Sequence, residues 1–134
     1  MKSLIVEDDF TARKLMQVYL SDFGESFIAV NGKEAVEVVR DAIEKNEPFD
    51  LISMDFIMPE MDGIEAVKII RQIEKENGIE GLSGVKIIMV TAKELPKDIS
   101  DAFNTGCGSC LLKPVRKPAL MKKIEKLGLL QNQS

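Results

Sequence analysis

Short apolar runs recur five times along the chain, and stretches with helical periodicity separate most of them. The runs predict β-strands at residues 2–6, 26–30, 50–54, 85–90 and 109–112. The intervening helices are predicted from apolar residues at helical spacing: Ala12, Leu15, Met16 and Tyr19; Val36, Val39 and Ile43; Ile64, Val67 and Ile70; and Leu120, Met121, Ile124 and Leu127. This alternation predicts an α/β fold with a parallel sheet, whose nearly continuous apolar strands are covered by helices on both faces.

One further helix, near residues 97–105, is predicted from only three apolar residues. Turn residues separate the elements at Asn31-Gly32, Asp62-Gly63 and Gly106. The segment 76–84 contains three glycines and is predicted to form a flexible loop before the fourth strand. We predict a single domain over residues 1–128 and a short frayed tail over residues 129–134.

The composition is that of a soluble globular domain rather than a disordered chain. The 134 residues are 45% hydrophobic and 30% charged. The net charge of −4 argues against a nucleic-acid-binding surface, which would need a basic face. We expect a cytoplasmic protein, because the sequence shows neither a membrane span nor a signal-peptide pattern. The absence of histidine excludes Ser-His-Asp and Cys-His nucleophile pairs as well as most zinc sites.

Reactive side chains follow the ends of four predicted strands. The acidic triplet Glu7-Asp8-Asp9 follows the first, Asp55 follows the third, Thr91 follows the fourth and Lys113 follows the fifth. If the strands are parallel neighbours, these groups meet at the sheet edge where open α/β sheets bind ligands. Clustered carboxylates cannot all ionise without a cation, because like charges raise one another's pKa. Oxygen ligands of this kind suit Mg²⁺.

The chain resembles the receiver domain of two-component response regulators, and in particular a stand-alone, chemotaxis-type receiver. The resemblance covers almost the whole length and rests on five motifs taken together: Val6-Glu7-Asp8-Asp9, Asn31-Gly32-Lys33-Glu34-Ala35, Asp55-Phe56-Ile57-Met58-Pro59-Glu60-Met61-Asp62-Gly63, Val90-Thr91-Ala92 and Lys113-Pro114. It implies a doubly wound, flavodoxin-like sheet of five parallel strands in the order 2-1-3-4-5, with five flanking helices.

The resemblance also implies roles for the residues at the strand ends. Asp55 would accept the phosphoryl group, and Mg²⁺ would be held by Glu7, Asp8, Asp55 and the backbone carbonyl of Ile57. Thr91 and Lys113 would contact the phosphoryl oxygens, in a reaction that needs little beyond positioning and charge neutralisation. The resemblance also implies a cis Lys113-Pro114 peptide bond, because the family usually holds this bond cis.

The same resemblance implies the partners. The phosphoryl donor would be a sensor histidine kinase or a phosphotransfer protein, and the output would pass by conformational change to an unidentified protein target. We expect a monomer that binds neither nucleic acid nor membrane. It would catalyse only the phosphorylation and dephosphorylation of its own aspartate, without turning over a substrate.

The sequence contains two cysteines that the resemblance to receiver domains does not account for. Cys107 and Cys110 have a C-x-x-C spacing, but a structural zinc site needs four ligands and the sequence offers no other cysteine or histidine. We expect small, buried, space-filling roles for both. Cys110 also lies three residues before Lys113, where the family usually has an aromatic ring that swings inward on activation. Asp9 lies one residue beyond the implied metal pair and is predicted only to cap the first helix.

Ile57 and Lys93 lie two residues after Asp55 and Thr91. The resemblance implies that these two positions flank the path of the water that would hydrolyse the acyl phosphate. Ile57 offers no hydrogen bond to that water, which predicts slow loss of the phosphoryl group. Lys93 either steers the phosphodonor or is simply solvated.

Two other function classes are compatible with part of the pattern. A flavin-binding electron carrier would share the fold class, but it needs a loop of backbone donors after the first strand instead of three carboxylates. A phosphatase with an aspartyl nucleophile would need a second aspartate two residues later, where this chain has Ile57. A GTPase is excluded because the P-loop motif is absent.

Overall fold

The computed structural model describes residues 1–58, 61–80, 83–92, 97 and 108–129. Its five strands are β1 (Ser3–Val6), β2 (Ser26–Ala29), β3 (Leu51–Asp55), β4 (Lys86–Thr91) and β5 (Gly108–Leu112). Its α-helices are α1 (Phe10–Leu20), α2 (Gly32–Glu44), α3 (Gly63–Glu76) and α4 (Lys117–Lys126), and a 3₁₀ turn at Ser21–Phe23 follows α1. All five predicted strands are confirmed. The helix predicted near 97–105 lies outside the described residues, apart from the helical residue 97.

The sheet is parallel throughout, and its strand order is β2-β1-β3-β4-β5, as the resemblance implied. The register places Val6 opposite Met54, Asp55 opposite Val90, and Thr91 opposite Leu112. Because parallel strands all point the same way, their carboxyl ends lie side by side. The segments that follow β1, β3, β4 and β5 therefore start from one edge of the sheet.

The sheet divides the buried apolar residues into two clusters. One packs under α2 and α3 and includes Ile52, Met54, Ile70 and Met89. The other packs under α1 and α4 and includes Leu20 among its buried members. Both faces of the sheet are thus covered, which explains why the strands read as continuous apolar runs.

Polar side chains begin three of the helices. Asp9 accepts a hydrogen bond from the backbone N–H of Ala12 at 2.8 Å, and Asn31 and Asp62 make the equivalent bonds at the starts of α2 and α3, each at 2.8 Å. These bonds satisfy backbone donors that have no partner within the helix. The expected capping role of Asp9 is confirmed.

The end of α3 is tied to the start of β4 through a buried carboxylate. Glu74 accepts hydrogen bonds from the Arg71 guanidinium and from the backbone N–H of Val85, each at 2.7 Å. Residues 81 and 82 of the glycine-containing loop lie outside the described residues. None of the helices in the described ranges has the length and apolar character needed to span a bilayer.

Candidate functional site

The carboxyl ends of β1, β3 and β5 bring an ammonium group between two carboxylates. Lys113 Nζ lies 2.9 Å from Glu7 Oε1 and 3.3 Å from Asp55 Oδ2. Glu7 and Asp55 are only 4% and 6% exposed. Residues that are far apart in the sequence therefore form one charged cluster at the edge of the sheet, as the sequence predicted.

A third carboxylate, Asp8, completes a group suited to a metal ion. Glu7, Asp8 and Asp55 each offer an oxygen atom, and these oxygens lie within 4.8 Å of one another. Two oxygens bound to the same octahedral Mg²⁺ would be about 3–4 Å apart, given Mg–O distances of about 2.1 Å. The three residues can therefore converge on a Mg²⁺ ion through small side-chain movements, and their hard oxygen donors match that ion's preference.

The surroundings of Glu7 shift its pKa. Burial, followed by the hydrogen bond that it shares with Asp55, raises the pKa of Glu7 above its ordinary value. The Lys113 ammonium and the backbone N–H of Asp9, 3.2 Å from Glu7 Oε2, oppose that rise. The net effect favours the protonated form of Glu7 relative to a free glutamate, and a bound cation would favour the ionised form.

Lys113 remains charged despite its partial burial. Burial alone would lower the pKa of the ammonium, but the hydrogen bond with Glu7 and the charge of Asp55 outweigh that effect, so the pKa is raised. The Lys113-Pro114 peptide bond is cis. A permanent positive charge is therefore held beside the Asp55 carboxylate.

Thr91 ends β4 beside this cluster and is 4% exposed. Its backbone carbonyl accepts a hydrogen bond of 2.7 Å from the N–H of Lys113. The same strand fixes the segment after Asp55, because the N–H of Phe56 donates to the carbonyl of Val90 at 2.9 Å. Thr91, Lys113 and the residues after Asp55 are thus connected through the main chain of β4.

Ile57 lies in the segment that follows Asp55, and its side chain is 68% exposed. Its backbone carbonyl is the fourth ligand that the resemblance implies. Lys93, the other residue predicted to lie beside the hydrolytic water, is outside the described residues.

Gly63, which the sequence indicated only as part of a turn between two elements, also makes a close backbone contact. A Cβ atom at this position would lie 2.7 Å from the carbonyl oxygen of Asp55 and 2.9 Å from Met89 Sδ. The N–H of Gly63 also donates to the carbonyl of Phe56 at 2.8 Å. The first turn of α3 therefore packs directly against the end of β3, and only glycine leaves the room for that approach.

Arg13 is a second residue that sequence reasoning missed. Its guanidinium donates to the backbone carbonyl of Glu7 at 3.2 Å and lies over the exposed ring of Phe10, 5.5 Å from its centroid. No motif marks this contact, since it depends on how α1 folds back over the end of β1.

Cys110 lies in β5 with its Cα opposite Met89, and its half-buried side chain packs against the apolar cluster under α2 and α3. A small sulfur side chain therefore occupies the position of the expected aromatic ring. Cys107 lies outside the described residues.

Comparison with known proteins identifies the family. The response regulator receiver domain matches residues 3–125. Hybrid signal transduction histidine kinase B of Dictyostelium discoideum is 40% identical over 134 residues, covering 96% of this chain and 7% of that protein. The osmolarity two-component system protein SSK1 of Saccharomyces cerevisiae is 35% identical over 149 residues, covering 96% of this chain and 20% of that protein. The chain thus spans only a small part of these two relatives.

Solved structures agree with this similarity. The Mg²⁺ complex of the receiver domain of histidine kinase CKI1 from Arabidopsis thaliana has a TM-score of 0.75 and 31% identity, over 92% of this chain and 90% of that one. The chemotaxis protein CheY4 of Vibrio cholerae has a TM-score of 0.72 and 28% identity, over 94% of this chain and 97% of that one. The chain belongs to the response regulator receiver domain family of two-component signalling proteins.

Proposed function

We propose that Asp55 accepts a phosphoryl group from a phosphohistidine on a sensor histidine kinase or a phosphotransfer protein. The observation that carries this proposal is the Lys113 ammonium, held 2.9 Å from Glu7 and 3.3 Å from Asp55 at the carboxyl edge of the sheet. Asp55 is the carboxylate at the end of the central strand β3, flanked by both neighbouring strands.

The reaction is a transfer between two nucleophiles. A carboxylate oxygen of Asp55 attacks the phosphorus, the P–N bond breaks, and its electron pair returns to the imidazole nitrogen of the donor. Lys113 stabilises the negative charge on the phosphoryl oxygens, and the hydroxyl of Thr91 donates to one of them. Catalysis of this kind requires positioned charge and no acid–base residue on the receiver, which is consistent with a chain that has no histidine.

Glu7, Asp8, Asp55 and the carbonyl of Ile57 would hold Mg²⁺. The bound ion supplies the positive charge that the lysine alone cannot, because two buried carboxylates already share its ammonium. The donor set supports this assignment: the three acidic oxygens within 4.8 Å of one another are all hard ligands.

The test is phosphorylation by acetyl phosphate with Mg²⁺, followed by intact-mass measurement. Wild-type protein should gain one phosphoryl group and Asp55→Asn none. Asp50→Asn makes the same change at an exposed residue before β3 and should label normally. Labelling should stop in EDTA and in Asp8→Ala. Equal labelling of Asp55→Asn and wild type would disprove the assignment of the phosphoacceptor.

The output is proposed to pass through Thr91 and the residues after it, because Cys110 is too small to act as an inward-swinging ring. Hydrogen exchange with and without a phosphoryl mimic should differ most within residues 91–106. A thiol reagent should react with Cys110 at similar rates in both states. Protection of Cys110 on activation, with residues 91–106 unchanged, would instead favour a swing of the cysteine side chain.

We further propose a cytoplasmic, monomeric receiver domain over residues 1–128 with a short tail over residues 129–134. Size-exclusion chromatography with light scattering, before and after phosphorylation, tests whether the protein is a monomer. A phosphotransfer screen against purified histidine kinases identifies the donor, and dimerisation on phosphorylation would refute the monomeric assignment.

A further inference from the structure

A cleft of about 390 Å³ lies on the α1 side of the sheet, beside the carboxylate cluster. One wall is formed by Ala12, Leu15 and Met16 of α1, and the opposite wall includes Val115 from the loop between β5 and α4. Its volume is within the range of small-molecule sites, which are mostly apolar clefts with a few polar groups. The cleft is therefore large enough for a small organic ligand.

Leu15 is unusually exposed for an apolar residue on the core-facing side of a helix that packs on a sheet. Helical spacing places Leu15 with the core-facing residues of α1, yet it is 40% exposed, whereas Met16 is 5% exposed. The apolar face of α1 thus continues into the cleft instead of closing against the sheet. A ligand with an apolar body would remove this surface from water, which is favourable in proportion to the apolar area buried.

The polar end of the cleft has an excess of negative charge. Glu7, Asp9 and Asp55 all line it, while Lys113 is its only lining cation among the described residues and is already paired with Glu7 and Asp55. Asp9 adds an exposed carboxylate, one oxygen of which caps α1 through Ala12. This charge distribution is complementary to a cation and repels an anion.

We propose that the cleft is a binding site for small amphipathic organic cations. A protonated amine meets the carboxylates at the Asp9 end, and a body the size of a phenyl ring with a short alkyl chain lies between Leu15 and Val115. The binding test does not depend on phosphoacceptor chemistry, because binding is measured on unphosphorylated protein without metal.

Three probes of the same shape but different charge provide the first test. In EDTA, 3-phenylpropylammonium should bind saturably and shift the amide NMR signals of Val6, Ala12, Leu15 and Val115. The neutral 3-phenylpropan-1-ol should bind about tenfold more weakly, the equivalent of one modest charge contact. The anionic 3-phenylpropanoate should cause no saturable shift. Equal binding of alcohol and amine, or shifts spread over the whole surface, would overturn the proposal.

Paired variants test the walls and the charge separately. Ala12→Met fills the cleft and should weaken amine binding at least about tenfold, whereas Ala119→Met makes the same change at an exposed position of α4 and should leave it unchanged. Asp9→Asn should weaken binding several-fold, and Asp62→Asn, the same change at the cap of α3, should not. If Ala12→Met does not fold, Leu15→Ala replaces it and should also weaken binding. Equal effects within a pair would refute the site.

Discussion

Replacing Lys113 with methionine in the metal-free protein removes the only positive charge that the described residues place between Glu7 and Asp55, while a long apolar side chain is kept. Lys113 Nζ contacts both carboxylates within 3.3 Å, and both are largely buried. Removing one partner of a buried ion pair costs about 3–5 kcal/mol. The Lys113 side chain is 27% exposed and Glu7 can take up a proton, so we expect a smaller loss than this, about 2–3 kcal/mol at pH 8.

The loss should depend on pH, with a sign that follows from Glu7. Burial and the hydrogen bond with Asp55 already raise the pKa of Glu7 above its ordinary value of 4.5, so the folded protein binds a proton more tightly than the unfolded chain does. Stability from this group is therefore present at low pH and is lost as the pH rises through the folded pKa. Without the ammonium the pKa rises further, so the difference between variant and wild type should shrink from pH 8 towards pH 5.

Urea unfolding and thermal unfolding, both followed by circular dichroism in EDTA at pH 8 and pH 5.5, measure both effects. At pH 8 the melting temperature of Lys113→Met should fall by about 6–10 °C. Lys117→Met is the matched control, because Lys117 forms a 3.9 Å ion pair with the exposed Asp22, and the change should alter stability by less than about 0.5 kcal/mol. Wild-type stability of Lys113→Met at pH 8, or a deficit that is the same at both pH values, would refute the electrostatic argument.

Three further changes test other parts of the structure. Asp8→Asn should raise the melting temperature of the metal-free protein by about 1–3 °C, because it relieves repulsion among clustered carboxylates. The variant should also lose the further rise in melting temperature that Mg²⁺ causes in the wild type. A lower melting temperature than wild type, measured by differential scanning fluorimetry in EDTA, would contradict this. Glu74→Ala should cost about 2–3 kcal/mol in urea unfolding because it leaves the buried N–H of Val85 without its acceptor, whereas exposed Glu76→Ala should cost little. Ile57→Gln supplies an amide that can orient water, so the phosphoryl group should be lost several-fold faster, as followed on a phosphate-affinity gel. An unchanged rate of loss would show that residue 57 does not influence the hydrolytic water.

The strands and the edge at which the charged residues meet could be predicted from the sequence because both depend on local patterns. Each apolar run that ends in a reactive residue became a strand whose carboxyl end carries that residue. Parallel pairing then brought Glu7, Asp55 and Lys113 together without further information. The cap at Asp9 was equally predictable, because an acidic residue directly before a helix satisfies a backbone donor within a few residues.

The remaining contacts depend on the packing of elements that are distant in sequence. Glu74 reads as an ordinary charged residue of α3, and only the arrival of β4 makes it the acceptor for Val85. Leu15 has core spacing, but its burial depends on how closely the loop after Lys113 approaches α1. Gly63 has a helix-start pattern that gives no indication of its contact with the backbone of Asp55.

The two ends of the described chain leave the domain on the side away from Asp55. Met1 and Leu129 both pack against the apolar cluster under α1 and α4. β1 begins at the amino edge of the sheet, and α4 returns to that edge after β5, as parallel βα units require. A surface tether, an affinity tag or a pair of fluorophores attached at these two points would therefore leave the carboxylate edge open to a docking protein. The domain can thus be immobilised for single-molecule or biosensor measurements with the carboxyl edge of its sheet facing solution.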